Sequence, residues 1–336
     1  MPWIALAAVL AALLGGACTG VIDGGQGGGG GPGGGAAGEP DAGGGSPGQD
    51  GGAPGADAGI DPAELAAAMQ ETLDRLLAEA AWRSPGTAAA LSVVHLSTGA
   101  RASARGDELY VSASSAKAWW VAAALDGVGV APVEPHADPI FVDSDNGATG
   151  AVIDLIGPDA VNVYLWDVVG MERTALTRWN YQAIREASNS PRLMGTDNYT
   201  TANDSVLFLS RLQAGEVLGA EETAALLDWM TRAPREGFGG WLGTRLPEAA
   251  RAGMRHKAGW LPPGCCSDQD RYNTLNDVGL IDTPAGTYAV AILLHAGDDW
   301  YGRQVPYAEY ASCEIYKVVA GDAALDCARE GDPAPP

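Results

Sequence analysis

Apolar positions change their spacing several times along this chain, and each change predicts an element. After Asp61-Pro62, the residues Leu65, Met69, Leu73 and Leu76-Leu77 recur three or four apart through Ala81, which is the period of an amphipathic helix. Asp61 suits the N-cap and Pro62 the first turn, and Ser84-Pro85-Gly86 stops the pattern. Residues 88–96, around Val93 and Val94, read as a strand; Ser97-Thr98-Gly99 turns, and 101–105 returns as the partner of a hairpin. From Ser114 to about Leu125 the chain is dense in Ala and Trp, which predicts a buried helix. Residues 147–232 carry mostly helical spacing, clearest over 161–169, 202–212 and 221–230. Strands return at 255–261, 276–281 and 288–295, and a last helix covers roughly 307–319.

This order is helix, two strands, a long helical insertion, three strands, helix. It predicts an α/β (α+β) fold: an antiparallel five-stranded sheet flanked by helices, with an all-helical lobe over about 118–250. A cleft between two such parts is a natural place for a site.

The first 60 residues differ in kind. An apolar run from Trp3 to Leu14 ends in Gly-Gly-Ala-Cys18, too short to span a bilayer comfortably and closed by small residues, as an export signal is. Cys18 after Gly-Ala resembles the lipidation site of bacterial lipoproteins, although no Lys or Arg precedes the run and the leucine stands one place further from the cysteine than usual. The alternative is plain cleavage near Ala17, which leaves Cys18 an ordinary residue. Residues 19–59 are Gly-rich with almost no large apolar side chain, so they cannot bury enough surface to offset chain entropy. They read as a disordered tether spanning about 35 Å as a random coil. The expected organisation is a signal at 1–18, a tether at 19–59 and a folded domain at 60–330, exported to the periplasm or cell surface, monomeric, and touching membrane only through Cys18.

Composition narrows the classes further. The 336 residues hold 20 Lys+Arg against 42 Asp+Glu, a formal charge of −22. Nothing in such a balance would neutralise phosphates, which argues against nucleic acid as a partner. Cys265, Cys266, Cys313 and Cys327 fall in the folded part, an even number that suggests disulfides in an exported protein. A bridge between the neighbours Cys265 and Cys266 is strained, so the expectation is a loop at 265–266 stapled to the C-terminal segment. These spacings, and the scattered His95, His136, His256 and His295, do not describe a zinc site. Neither a metal nor a cofactor is expected.

The candidate chemistry lies in three short stretches. Tyr110-Val-Ser-Ala-Ser114-Ser-Ala-Lys117 places a serine and a lysine on one helix face. Serine is a weak nucleophile until a base takes its proton, and a desolvated lysine near other cations sheds its own proton more readily. Ser112 and Ser115 have no lysine three residues on. Ser144-Asp145-Asn146 and Lys257-Ala258-Gly259 follow in order.

Together these three stretches resemble the motif set of the class A β-lactamase and penicillin-binding-protein superfamily of serine hydrolases. The resemblance covers about residues 60–320, and the contexts Gly106-Asp-Glu-Leu-Tyr110, Gly157-Pro158 and Asn276-Asp-Val-Gly279 fit it. It implies that Ser114 is acylated, that Lys117 is its base or proton relay, and that Ser144 bridges Lys117 and Lys257 towards the leaving group. It also implies that Asn146 holds the substrate amide and that Lys257 attracts a substrate carboxylate. Asp145 would brace its loop, Gly259 and Trp260 would line the substrate, and the N–H groups of Ser114 and Trp260 would form an oxyanion hole.

Three departures bear on substrate and turnover. Where class A enzymes carry the Ω-loop glutamate that activates the deacylating water, this chain has Asn180; Glu186, in Glu-Ala-Ser-Asn189, is the fallback. Ala258 replaces the usual Thr or Ser and offers no hydroxyl to a carboxylate. No arginine stands where a second carboxylate anchor is usual, Arg271 falling in an expected loop. The implied activity is an acyl-enzyme hydrolase of β-lactams or related amides or esters with slow deacylation. Its rivals are a cell-wall D,D-peptidase acting on peptidoglycan-like substrates and a tethered penicillin-binding or sensing module without turnover.

Overall fold

The structure is a computed structural model, and it describes residues 61–179, 182–183, 197–262, 273–296 and 300–334. The expected signal, Cys18 and the tether lie outside the described residues, as do Asn180, Glu186, Asn189, Cys265, Cys266 and Arg271.

Helix α1 (Pro62–Arg83) opens as its sequence predicts, with Asp61 Oδ1 accepting from Ala63 N at 2.8 Å and Pro62 in the first turn. Strands β1 (Ala88–His95) and β2 (Arg101–Ala104) form the hairpin. Strands β3 (Arg255–Leu261), β4 (Asn273–Thr283) and β5 (Gly286–Ala296) complete a five-stranded antiparallel sheet in the order β2-β1-β5-β4-β3. The sheet was expected; β4 begins three residues earlier than its apolar spacing suggests. Asn273, Thr274, Asn276 and Asp277 are all buried in that strand, so polarity there does not mark the surface.

Both faces of the sheet are covered, and the period of two sorts its side chains. On β5, Ala289, Ala291 and Leu293 face one core, while Tyr288, Val290, Ile292 and Leu294 face the other. The second core is closed by α1 and by α7 (Val305–Val319). The first is closed by the helical part, centred on α2 (Lys117–Val128), whose residues from Lys117 to Leu125 are all buried. A helix that is apolar all round belongs inside. Around it pack α3 (Asn146–Asp154), α4 (Pro158–Val163), α5 (Ala202–Gln213) and α6 (Ala220–Thr231). From α4 the chain continues as a π-helical turn, Tyr164–Val169, which Gly170 ends in the left-handed region at φ 80°.

Two sequence expectations are corrected. The helix does not begin at Ser114: Ala113–Ala116 is a 3₁₀ turn, entered through Ala113 at φ 47°, and the α-helix starts at Lys117. The C-terminal cysteines are not stapled to the 265–266 loop, because Cys313 on α7 pairs with Cys327 (Cα–Cα 5.6 Å, 14 residues apart). The chain after α7 turns back beside that helix, and closing so short a loop costs less entropy than closing a long one. Among the described residues no helix is long and apolar enough to cross a membrane.

Candidate active site

The 3₁₀ turn that carries Ser114 is held from two directions. Tyr110–Val111 pairs with Tyr199–Thr200 on one side. On the other, Asn276 Nδ2 donates to the carbonyls of Val111 (2.8 Å) and Ser112 (3.0 Å). Ser112 and Ser115 are buried, and Ser115 Oγ donates to Ser112 O at 2.5 Å; Ser114 is the half-exposed serine of the three. A 3₁₀ turn nearly eclipses side chains three apart, so the turn aligns Ser114 with Lys117 more directly than an α-helix would.

Strand β3 lies at the sheet edge and runs against this turn. A methyl group at Gly259 would lie 2.5 Å from Ser115 N and 2.7 Å from Ser114 N, so the approach requires glycine. Trp260 follows, with its ring edge-on to Phe238 (centroids 5.7 Å apart).

The second stretch enters through Ser144, which is left-handed at φ 55°, a conformation that costs energy for a non-glycine residue. Asp145 caps α3, its Oδ1 accepting from Ala148 N at 2.6 Å. Lys117 Nζ donates to Asn146 Oδ1 (2.8 Å), to Ser144 Oγ (3.3 Å) and to the Ser144 carbonyl. Lys257 Nζ donates to the same Ser144 Oγ (3.0 Å) and to Ala258 O (2.9 Å). The Ser144 hydroxyl therefore sits between the two lysines. Ser114 Oγ is not among the Lys117 partners in this structure.

Both lysines are buried, at 2 % and 4 % exposure. Burial, reinforced by the charge of Lys257, pushes Lys117 well below the ordinary lysine range, with Asp145 acting in the opposite sense. Burial lowers Lys257 to about 8, opposed by Asp277. The arrangement offers a lysine able to be neutral, a hydroxyl that can relay a proton, and a second lysine whose charge is adjustable near neutral pH.

Ser114, Lys117, Ser144, Asn146, Lys257, Gly259 and Trp260 are thus brought to one place, while Glu186 lies outside the described residues. The stretches flanking it are joined: Ala175 bridges Tyr199, Asn162 holds Leu176 N and O at 2.8 Å, and Asn198 Oδ1 accepts from Thr177 N at 2.8 Å. The holding role of Asn276 escaped sequence reasoning, because it is one of several polar residues buried in the same strand. Among the described residues no group of three or more His, Cys, Asp or Glu side chains could hold a metal ion.

A five-stranded antiparallel sheet, helices on both faces and these three stretches brought into contact define the β-lactamase-like class of serine hydrolases. The model of the beta-lactamase enzyme family matches residues 132–318, and the chain belongs to that family. Solved structures similar to it include a representative class A beta-lactamase from Bacteroides cellulosilyticus (15 % identity, TM-score 0.60, covering 76 % of this chain and 99 % of that one). A beta-lactamase from Sphaerobacter thermophilus is also similar (24 %, 0.54, 77 % and 96 %). So is a mutant of PBP-A in an acyl-enzyme complex with penicillin G (21 %, 0.56, 76 % and 96 %). At these identities the likeness is one of fold. No curated protein matches the sequence.

Proposed function

We propose that this protein is a serine hydrolase that works through an acyl-enzyme on Ser114, with a β-lactam or a related amide or ester as substrate. The observation that carries the reading is the Ser144 hydroxyl held between two buried lysines, one of them strongly depressed, beside the turn that presents Ser114. In the first step Ser114 Oγ attacks the substrate carbonyl carbon and its proton passes to neutral Lys117. The proton then moves through Ser144 to the leaving nitrogen or oxygen as the bond to carbon breaks. The N–H groups of Ser114 and Trp260 stabilise the oxyanion; Asn146 and Gly259 line the substrate, and Lys257 attracts a carboxylate. Water then releases the acyl group. With Asn180 at the place of the Ω-loop glutamate, that release is slow, and Glu186 is the residue assigned to it.

A second reading, a D,D-peptidase or a penicillin sensor without turnover, is favoured by the same Asn180 and by the similarity to PBP-A, which was captured with penicillin G as an acyl-enzyme. Intact-mass spectrometry after mixing with a penicillin, beside Ser114→Ala, separates the cases. The parent gains a penicillin-sized adduct and the variant gains none. Decay of the adduct with product marks a hydrolase, and its rate falls in Glu186→Gln. A persistent adduct marks the second reading, and no adduct and no product sinks the β-lactam reading, after which a panel of amides and esters tests Ser114.

The domain at 60–330 acts after export, as a monomer held by the tether at 19–59 to a lipid on Cys18. Detergent-phase partitioning that survives Cys18→Ala would defeat the anchor.

A further inference from the structure

On the same two strands as Lys257 lies a second buried polar pair that acyl transfer does not use. His256 precedes Lys257 on β3, and Asp277 stands on β4 opposite Ala258; both are fully buried. His256 Nδ1 is 2.8 Å from Asp277 Oδ1, and His256 Nε2 is 2.8 Å from Pro234 O. Leu242 N donates to Asp277 Oδ2 at 3.0 Å. Gly279 faces His256 across the ladder, and a methyl there would lie 2.6 Å from His256 Cβ. The space for the imidazole is cut into the neighbouring strand.

The protons of the pair can be counted. A carbonyl only accepts, so Nε2 carries a proton. One further proton lies between Nδ1 and Oδ1, and wherever it sits the pair has no net charge. With Oδ2 taking the Leu242 N–H, the buried hydrogen-bonding groups facing one another are matched, and a fully matched buried network specifies one arrangement. What it arranges is the segment 234–242 that follows α6. One end is fastened through Pro234 O to β3, the other through Leu242 N to β4. Between them Phe238 packs edge-on to Trp241 (5.9 Å) and Trp260 (5.7 Å).

We propose that His256 and Asp277 are positioning residues: by fastening 234–242 to the edge strand, they fix where β3 presents Lys257 and the Trp260 N–H to the Ser114 turn. The proposal rests on Ser114 being the acylated nucleophile. Among the described residues, strand β3 has a ladder partner on one side only, so its place relative to the turn depends on such additional ties. Lys257 feels the Asp277 charge, and Lys117 feels Lys257 and Asp145; from 234–242 the pair is met by the backbone groups of Pro234 and Leu242.

The test compares Asp277→Asn with Asp277→Leu. The asparagine can donate to His256 Nδ1 and accept from Leu242 N, keeping the connections and the zero net charge; the leucine keeps the bulk and loses both. Acylation by penicillin is followed by intact mass and expressed per folded molecule. Asp277→Asn acylates at close to the parent rate, and Asp277→Leu is slower by about 10- to 100-fold, the scale of a small misplacement at a reacting centre. If Asp277→Leu does not fold, His256→Asn replaces it, since its shorter side chain can still donate to Asp277 but not reach Pro234 O; the same slowing is expected. Nitrogen-15 spectra of the His256 ring give a readout without chemistry: Nε2 carries the proton that Pro234 O accepts. An unprotonated Nε2, or Asp277→Leu or its substitute acylating at the parent rate, overturns the proposal. A parent that forms no adduct with penicillin or with a panel of amides and esters instead defeats the Ser114 reading, and this proposal falls with it, so the two failures are distinguishable.

Discussion

Two buried cationic clusters in this molecule meet burial with opposite partners. Arg245, its side chain 4 % exposed, is bonded by Asp332 at 2.5 and 2.8 Å, lies 3.5 Å from Glu309 and donates to Cys327 O at 2.8 Å. Burial works against its charge, but Asp332 and Glu309 outweigh burial and its pKa is raised. Lys117 and Lys257 are as deeply buried, yet their hydrogen bonds run to a hydroxyl, an amide oxygen and carbonyls. Their pKa values fall. The same desolvation thus yields a clamp where carboxylates answer it and a base where neutral acceptors do. The clamp, with the Cys313–Cys327 bridge, fastens the C-terminal tail; the lysines face Ser144 and the Ser114 turn.

The largest effect that would test this contrast comes from Lys117→Arg, which puts a charge that cannot be shed into the site of the proposed base. Acylation of Ser114 should slow by about 10²- to 10⁴-fold, the usual contribution of a positioned base. A variant that acylates at the parent rate, by stopped-flow with a chromogenic β-lactam, would break the comparison on the lysine side. Next comes Asp332→Asn, which leaves Arg245 buried with one carboxylate fewer. Urea unfolding should show a loss of about 3 kcal/mol, with acylation per folded molecule unchanged. Burial pushes the Asp332 carboxyl up, and Arg245 more than offsets that, holding it below its ordinary range. The clamp's contribution is therefore complete above the ordinary carboxylate range and is lost as pH falls through the lowered value. Asp332→Asn should flatten that acid limb of the stability curve.

The same contrast explains what the sequence disclosed. Period and punctuation were enough for α1 with its Asp61 cap, for the β1–β2 hairpin and for α5 and α6, because these elements report on neighbours three to four residues or two residues away. Ser114, Lys117, Ser144, Asn146 and Lys257 were visible as three ordered stretches. The resemblance also implied that Ser144 bridges Lys117 and Lys257, as it does; the ties that hold the surrounding fold were not visible. Asp332 looks like one more acid in a polar tail, and nothing periodic ties it to Arg245, 87 residues earlier. The His256–Asp277 pair and the hold of Asn276 on Val111 and Ser112 depend on strand register, which the apolar pattern of β4 misstates at its start. The turn at Ala113–Ala116 escaped because a left-handed alanine has no sequence signal, and the Cys313–Cys327 pairing because four cysteines allow three pairings.

A smaller effect tests whether Lys257 lacks a helper. Ala258→Thr restores the hydroxyl that the resemblance leads one to expect there. A charge-assisted hydrogen bond of about 1.5–3 kcal/mol corresponds to a tightening of about 10-fold or more for substrates with a carboxylate. It should appear in KM rather than kcat and should spare neutral esters.

The smallest expected effect, a few-fold in rate, is also the most direct on the comparison. If burial among neutral acceptors makes Lys257 titrate at about 8, then its charge is present below that pH and lost above it. For a carboxylate-bearing substrate, kcat/KM should therefore decline as pH rises through about 8. A neutral ester of the same acyl group, having nothing for the ammonium to attract, should lack that decline once its own hydrolysis is subtracted. Arg245 sets the opposite standard: tied to carboxylates, it holds its charge throughout, and Asp332→Asn should leave both profiles where they were. A decline of equal size for the two substrates would place the titration in proton transfer rather than in binding, and would move Lys257 from anchoring the substrate to relaying the proton with Ser144.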